Sequence, residues 1–204
     1  MKKYKPVMSF DEDVANSYDD LAIRGDEAAT VAFLEQMARG GPALELAIGT
    51  GRIALPLSDR GIRVDGIDFS SAMVAKLRTK PGAEKIAITM GNFADVAVPN
   101  TYRLIYVVFN TLFNLLTQDE QVHCFENVAA HLTDDGLFVV EGEVPADWYR
   151  LRNNQYVDLE KVEVGNVRLD VARHDPVKQL LEETHWGREP FTGTSRNCVS
   201  VYGR

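Results

Sequence analysis

The sequence has only two cysteines, Cys124 and Cys198, far apart and with neither metal-ligand spacing nor a redox pair, which suits a reducing cytoplasm and gives them no chemistry. Its four histidines, His123, His131, His174 and His185, share no motif, so no metal site is expected and none of them is assigned as a base. Basic residues are short: 22 Lys and Arg against 30 Asp and Glu leave a formal charge of −8 and a surface unable to neutralise a phosphate backbone. Nucleic acid is therefore excluded as a partner and a small molecule favoured. No apolar run approaches membrane-spanning length, and the basic start, Met1 to Phe10, lacks the apolar core of a signal peptide. A soluble, cytoplasmic protein with no membrane partner is expected. Internal repeats and low-complexity segments are also lacking. What is present, 45% hydrophobic residues over 204 positions, suffices for one full core.

Strand and helix signals alternate through the first three quarters of the chain. Asp26 to Arg39 reads as a helix, with acids at its start, Val31, Leu34 and Ala38 at core spacing, and Gly40-Gly41 as its stop. Ala43 to Arg52 reads as a buried strand ending in a glycine turn that starts a helix. Arg52 to Arg60 follows as a short helix in which Pro56, beyond the first turn, is expected to cost one backbone hydrogen bond and introduce a kink. Next come a strand at Ile62 to Ile67, a helix at Ser70 to Thr79 with Ser70 as N-cap, and a strand at Ile86 to Met90. Leu104 to Phe109 is a continuous apolar run, as for a strand covered on both faces. Thr117 and Glu120 form a capping-box pattern before a helix whose apolar face is expected at Val122, Phe125, Val128 or Ala129, and Leu132. Asp134-Asp135-Gly136 then turns into a fifth strand, Leu137 to Val140.

This alternation implies an α/β fold: a doubly wound, mostly parallel sheet with ligands beyond the carboxyl ends of its strands. Beyond Pro145, Tyr156 to Val164, Val167 to His174 and Leu180 to His185 read as an antiparallel meander, and Asn197 to Tyr202 as a last strand. The expected organisation is an α/β core over 1–144, an antiparallel cap over 145–185, and a C-terminal strand in 186–204 returning to the core sheet.

Four features fall where such a sheet brings strand ends together: Glu45 to Gly51 after the first strand, Asp68 after the second, Gly91-Asn92-Phe93 after the third, and Asn110 after the fourth. Glycines at Gly49 and Gly51 let a ligand approach the backbone at a helix start, and Asp68 can accept hydrogen bonds from ribose hydroxyls. Asn92 can accept from an adenine amino group, with Phe93 offering an apolar contact to the ring. Glu45, a carboxylate in an apolar strand, is costly unless paired, and a cationic or hydroxyl-rich ligand would supply the pairing.

With these residues the chain resembles the class I S-adenosylmethionine-dependent methyltransferases, up to its fifth strand. The resemblance implies that S-adenosyl-L-methionine is the cofactor. Its methionine part would be held by Glu45, Gly49 and Gly51, its ribose by Asp68, and its adenine by Asn92 and Phe93, with Ala47, Arg52, Phe69, Met73 and Asn110 also among the cofactor-binding residues. Ala47 stands where the family usually has its first glycine, and Asn92 where many members have aspartate. Phe109 to Leu116 is similar to the fourth-strand motif of small-molecule methyltransferases of natural-product and amino-sugar pathways, and Tyr18-Asp19 to the start of their lid. That likeness implies an N-terminal lid helix and places Tyr18, Asn110 and Phe113 around the transferred methyl group, with Phe113, Glu141, Glu143, Trp148 and Tyr149 on the acceptor side. The expected activity is methyl transfer to a nitrogen or oxygen of a small molecule, and a homodimer is compatible with it.

Two other readings share the motif. Gly49-Thr50-Gly51-Arg52-Ile53-Ala54 with Asp68 also fits an NAD(P)-binding oxidoreductase, but an anionic pyrophosphate gains nothing from Glu45. A methyltransferase-like protein that binds the cofactor without turnover is the other. In the resembling family a further helix and strand follow the cap strands. Here Trp186 to Phe191 already reads as the loop before the last strand, so about 40 residues, enough for one crossover unit and its loops, are absent from the expected pattern. The sequence is accordingly expected to omit a segment at His185–Trp186, marked by a Cα separation well above about 3.8 Å.

Overall fold

The computed structural model describes residues 10–21, 25–142, 152–163, 166–175, 180–188 and 198–203. The chain divides into two compact units, with the boundary between Gly142 and Glu143.

The first unit carries helices α1 (Glu12–Leu21), α2 (Glu27–Ala38), α3 (Ala54–Asp59), α4 (Ser71–Arg78) and α5 (Gln118–His131). Its strands are β1 (Ala43–Leu46), β2 (Val64–Asp68), β3 (Ala87–Met90), β4 (Tyr102–Val107) and β5 (Leu132–Val140). They form one sheet in the order β3-β2-β1-β4-β5, and every pair is parallel. The sheet is thus wholly rather than mostly parallel. The strand order reverses between β1 and β4, so the turns leaving those strands diverge and open a crevice at their carboxyl ends.

Alternation along the central strands sorts the core into two layers. Ala43, Val64, Leu104 and Tyr106 pack with Val31, Leu34 and Ala38 of α2 and Ala54 and Leu57 of α3. Leu44, Leu46, Ile67, Ile105 and Val107 pack with Phe93 and with Cys124 and Val128 of α5. Glu45 shares the face of Ala43 and lies beside Tyr106 in the register, so its side chain enters the layer beneath α2 and α3.

Several local expectations hold. Arg39 ends α2 in the left-handed region (φ 50°), and Ser70 caps α4 by accepting from the Met73 N–H. Thr117 and Glu120 close a reciprocal capping box on α5. Others need correction. Helix α3 is regular only from Ala54, two residues later than expected, yet i→i−4 bonds stand on both sides of Pro56, from the Leu55 N–H to the Gly51 carbonyl and from the Leu57 N–H to the Ile53 carbonyl, so the one expected bond is lost at Pro56. On α5 the buried line is Cys124 and Val128, whereas Val122 and Phe125 are 54% and 49% exposed. Among the described residues the sheet ends at β5, and Phe125 packs edge-on against Phe138 with ring centroids 5.2 Å apart.

The second unit contains a four-stranded antiparallel sheet, β6 (Gln155–Glu163), β7 (Asn166–Asp175), β8 (Leu180–Arg188) and β9 (Cys198–Gly203), in that order. Two expectations fail here. The last strand pairs with β8 and does not return to the core sheet. Strand β8 also runs through the expected break, because His185 and Trp186 pair with the consecutive residues Asp170 and Leu169 of β7. The ladder to β7 runs unbroken from Leu180 to Arg188 and takes up the first part of the segment read as a loop. No helix among the described residues is long and apolar enough to cross a membrane.

Candidate functional site

After β1 the backbone alternates into the left-handed region at Ala47 (φ 57°), Gly49 (φ 56°) and Gly51 (φ 77°). The Ile48 N–H still donates to the Ile67 carbonyl, and the Ile48 side chain lies over Gly66, where an added Cβ would stand 2.5 Å from Ile48 Cδ1. The turn is pinned at its other end as well: a Cβ on Gly51 would fall 2.9 Å from Leu77 Cδ1. Ala47 holds its conformation without the glycine that ordinarily relieves it.

Asp68, at the end of β2, is buried beneath this turn. Its Oδ2 accepts from the Gly49 N–H at 2.7 Å and its Oδ1 from the Ser70 N–H at 2.7 Å. Burial raises its pKa, and hydrogen bonds from the Ser70, Gly49 and Phe69 amides partly offset the shift. The carboxylate expected to meet a ribose therefore also ties the glycine turn to the second strand.

Glu45 finds its pairing within the protein. Tyr106 Oη donates to its Oε2 at 3.0 Å, and the Ala54 N–H at the start of α3 donates as well. Burial pushes this carboxyl up to about 8; Asp68 adds to the shift while Tyr106, Ala54 and Arg52 oppose it. The protein thus gives Glu45 partners of its own, and burial still outweighs them. Tyr106, a tyrosine in the apolar run of β4 directly across from a strand carboxylate, was the signal for this arrangement.

Arg52 leaves the glycine turn and places its guanidinium 4.8 Å from the Tyr18 ring centroid and 4.5 Å from that of Phe109, within 3.9 Å of Glu27. Helix α1 thus delivers Tyr18 to the turn. Burial raises the Tyr18 pKa, Arg52 counteracts it, and Glu45 and Asp68 add to it, which puts all four groups in one neighbourhood. Beside Tyr18, Asp19 accepts from Thr50 Oγ1 at 2.5 Å and pairs with Lys80 Nζ at 2.7 Å, while Lys80 Nζ also donates to the Thr50 carbonyl at 2.7 Å. Lys80 was not legible as a site residue, since nothing in the sequence marks the turn after α4 as facing the glycine motif.

At the third strand's end, Asn92 is exposed and its Oδ1 accepts from the Ala94 N–H at 3.0 Å, closing its own turn. Phe93 is buried, and Asn127 of α5 holds the segment by donating to the Phe93 and Val96 carbonyls at 3.1 Å each. A cavity of about 170 Å³ opens here between Phe69, Asn92, Phe93, Leu115, Leu116 and Glu120. Met73 is buried on α4, with its Cε 3.4 Å from where a Gly49 Cβ would lie.

Beyond β4, Phe109 and Asn110 both take left-handed conformations (φ 59° and 60°), a strained pair held from β5. The Glu141 N–H donates to the Val107 carbonyl, and Glu141 Oε2 accepts from the Phe109 N–H at 3.1 Å. Glu141 therefore braces this turn. Phe113 is half-buried and lies against Gly142, at the strand-end side of the sheet, whereas its neighbour Leu112 enters the core. Glu143, Trp148 and Tyr149 lie outside the described residues. Of the described histidines, His131 is engaged away from the strand ends, accepting from the Val98 N–H at Nε2 and bonding the Asn127 carbonyl through Nδ1. No cluster suited to a metal ion occurs among the described residues.

Comparison with known proteins supplies the context for this geometry. A methyltransferase-domain family model matches residues 43–136. The chain is 31% identical to the solved CcbJ methyltransferase of Streptomyces caelestis, with 98% of this chain and 81% of that one covered and a TM-score of 0.81. It resembles in fold an amino pentose methyltransferase of calicheamicin biosynthesis from Micromonospora echinaspora, solved with S-adenosylmethionine bound (22% identity, 95% and 81% covered, TM-score 0.64). In sequence it is 27% identical over 180 residues to the dTDP-3-amino-3,6-dideoxy-α-D-glucopyranose N,N-dimethyltransferase of Streptomyces fradiae, covering 83% of this chain and 67% of that protein. The next two curated relatives are spanned over only 56% and 53% of their length.

Proposed function

The chain belongs to the S-adenosylmethionine-dependent methyltransferase family, and on that premise we propose that it methylates an amine nitrogen of a small molecule, in the chemical class of amino sugars. The observation that carries the reading is the convergence of the left-handed glycine turn, Asp68 and the 170 Å³ cavity beside Phe69 and Phe93 at the carboxyl ends of three adjacent parallel strands. These residues fit the cofactor. The turn gives backbone approach at Gly49 and Gly51, Asp68 has acceptor capacity for ribose hydroxyls, and the cavity admits a planar base between apolar walls. When bound, the cofactor supplies a sulfonium methyl that is already electrophilic.

The chain's own residues have to position and to exclude water. Tyr18, stacked on Arg52, covers the turn from the side of α1. Asn110 and Phe113 frame the space where nucleophile, methyl and sulfur must align, and Glu141 keeps that turn in its strained form. Glu45, held largely protonated at neutral pH, braces the turn from beneath through Tyr106 and Ala54. The glycine turn and Asp68 would hold the cofactor, which would supply the methyl for an amine lone pair in the space framed by Asn110 and Phe113, and the product ammonium would lose its proton to solvent. A neutral amine needs no protein base, which agrees with His131 being turned away and Glu141 being engaged as a brace. Acceptor-side roles for Trp148 and Tyr149 rest on the family resemblance alone. The charge of −8 favours a small molecule over nucleic acid, and a cytoplasmic location and a homodimer belong to the same reading.

Thermal shift with S-adenosylmethionine, S-adenosylhomocysteine and NAD tests the cofactor, since only a ligand of the native state raises the melting temperature. Stabilisation by the first two is expected, and by NAD alone would defeat the reading. Asp68→Ala should weaken S-adenosylhomocysteine by about 2 kcal/mol, roughly 30-fold, by calorimetry on the folded variant. Mass spectrometry of nucleotide-linked amino sugars incubated with enzyme and cofactor should show gains of one or two methyl groups.

A further inference from the structure

Helix α1 has few means of its own to stay where the structure puts it. At 10 residues it is too short to be stable in isolation, and of its described side chains only Ala15 is fully buried. Its placement is therefore decided by fasteners. One is the Ser70 hydroxyl, which donates to the Phe10 carbonyl at 2.6 Å ahead of the helix. The other two lie near its end: Tyr18 against Arg52, and Asp19 against Thr50 and Lys80.

The last of these joins three separate segments at one point. Lys80 follows α4, where its own N–H donates to the Leu77 carbonyl, and its ammonium spans to both the Asp19 carboxylate and the Thr50 carbonyl. Thr50 completes the triangle by donating its hydroxyl to Asp19. The Asp19 and Lys80 side chains are 31% and 25% exposed, so the pair is partly withdrawn from water and stronger than an open surface pair. The Asp19 carboxyl is held below its ordinary pKa: its own burial acts the other way, and the Lys80 and Thr50 hydrogen bonds together with the charges of Lys80 and Arg52 outweigh it. Thr50 lies between Gly49 and Gly51, so whatever holds Asp19 also holds the helix end to the cofactor turn.

We propose that Lys80 is a positioning residue that latches α1 onto the glycine turn through Asp19 and the Thr50 carbonyl, and thereby sets Tyr18 over the cofactor. Its consequence for catalysis rests on the functional reading above, but the latch itself is a property of the protein without ligand. Lys80 touches no reacting atom. Its removal should be felt as faster cofactor escape and a raised cofactor KM, with a smaller change in kcat at saturation.

The test compares wild type, Lys80→Met, Lys80→Arg and Asp19→Asn. Amide exchange read by mass spectrometry on the ligand-free proteins should accelerate at least tenfold in residues 13–21 of Lys80→Met and less in Asp19→Asn, with α5 amides unchanged. Lys80→Arg, which keeps the charge and two donors, should restore most of the protection. Dissociation of S-adenosylhomocysteine should quicken at least threefold in Lys80→Met, and its acceleration by added salt in wild type should vanish in that variant. Wild-type exchange in 13–21 for Lys80→Met, in a protein that melts normally, would overturn the latch. Should no variant bind S-adenosylhomocysteine, the functional reading falls and the exchange data alone decide the latch.

Discussion

Glu45 is the residue where burial and chemistry pull hardest against each other. Its carboxyl titrates near 4.5 when unfolded and at about 8 in the folded protein, so the native state holds a proton that the unfolded chain has released. The stability contributed by that proton is complete below pH 4.5 and is lost as pH rises through 8. Asp68, also raised, acts in the same direction, and Asp19, lowered, acts in the opposite one. The melting temperature should therefore fall between pH 5 and 8.5, and Glu45→Gln, which keeps an acceptor for Tyr106 and Ala54, should flatten most of that fall. Parallel melting curves for the two proteins would reject the assignment. Ala47 offers a test of backbone strain. Its left-handed conformation costs about 1 to 2 kcal/mol, and glycine returns about 0.5 to 1 kcal/mol through the unfolded chain. Ala47→Gly should be net stabilising by about 0.5 kcal/mol in urea melts, and a destabilised variant would count against the strain.

Elements differ in how openly the sequence announces them. Helix α5 has its start written in Thr117 and Glu120, and Thr117→Ala should cost about 1 kcal/mol in denaturant midpoint while leaving cofactor affinity unchanged, because the cap faces solvent. A change in affinity would mean that α5 is coupled to the cavity through Glu120. The four strand-end motifs were legible because a parallel sheet leaves only one edge for a ligand, and Gly49, Asp68, Phe93 and Asn110 all reach it. What escaped was set by long-range packing. Nothing local says that α5 buries Cys124 in preference to Phe125, that Tyr106 answers Glu45 across the sheet, or that Lys80 reaches Thr50. The regular part of α3 starts two residues later than expected, because the ladder that begins with the Leu55 N–H on the Gly51 carbonyl is interrupted at Pro56. The strand β8 was cut short because Gly187 and Pro190 resemble loop punctuation, yet its ladder to β7 runs on to Arg188.

At the scale of the whole molecule, the first unit is self-consistent, with central strands buried on both faces and a reversal of strand order between β1 and β4. Its outer boundary has a different character. Strand β5 has nine residues and, among those described, pairs only with β4, beside the exposed Val122, Phe125 and Val140. For a chain emerging from denaturant, that margin is a race between first-order closure and second-order encounter with other chains, and the encounter speeds up with concentration. Yield on refolding should therefore drop steeply as protein is concentrated, more so in salt that screens the net charge of −8. Phe125→Glu should recover the yield without altering the native melting temperature by more than a few degrees, as light scattering and soluble fraction would report. A yield independent of concentration would show the margin to be guarded from the earliest stages of folding.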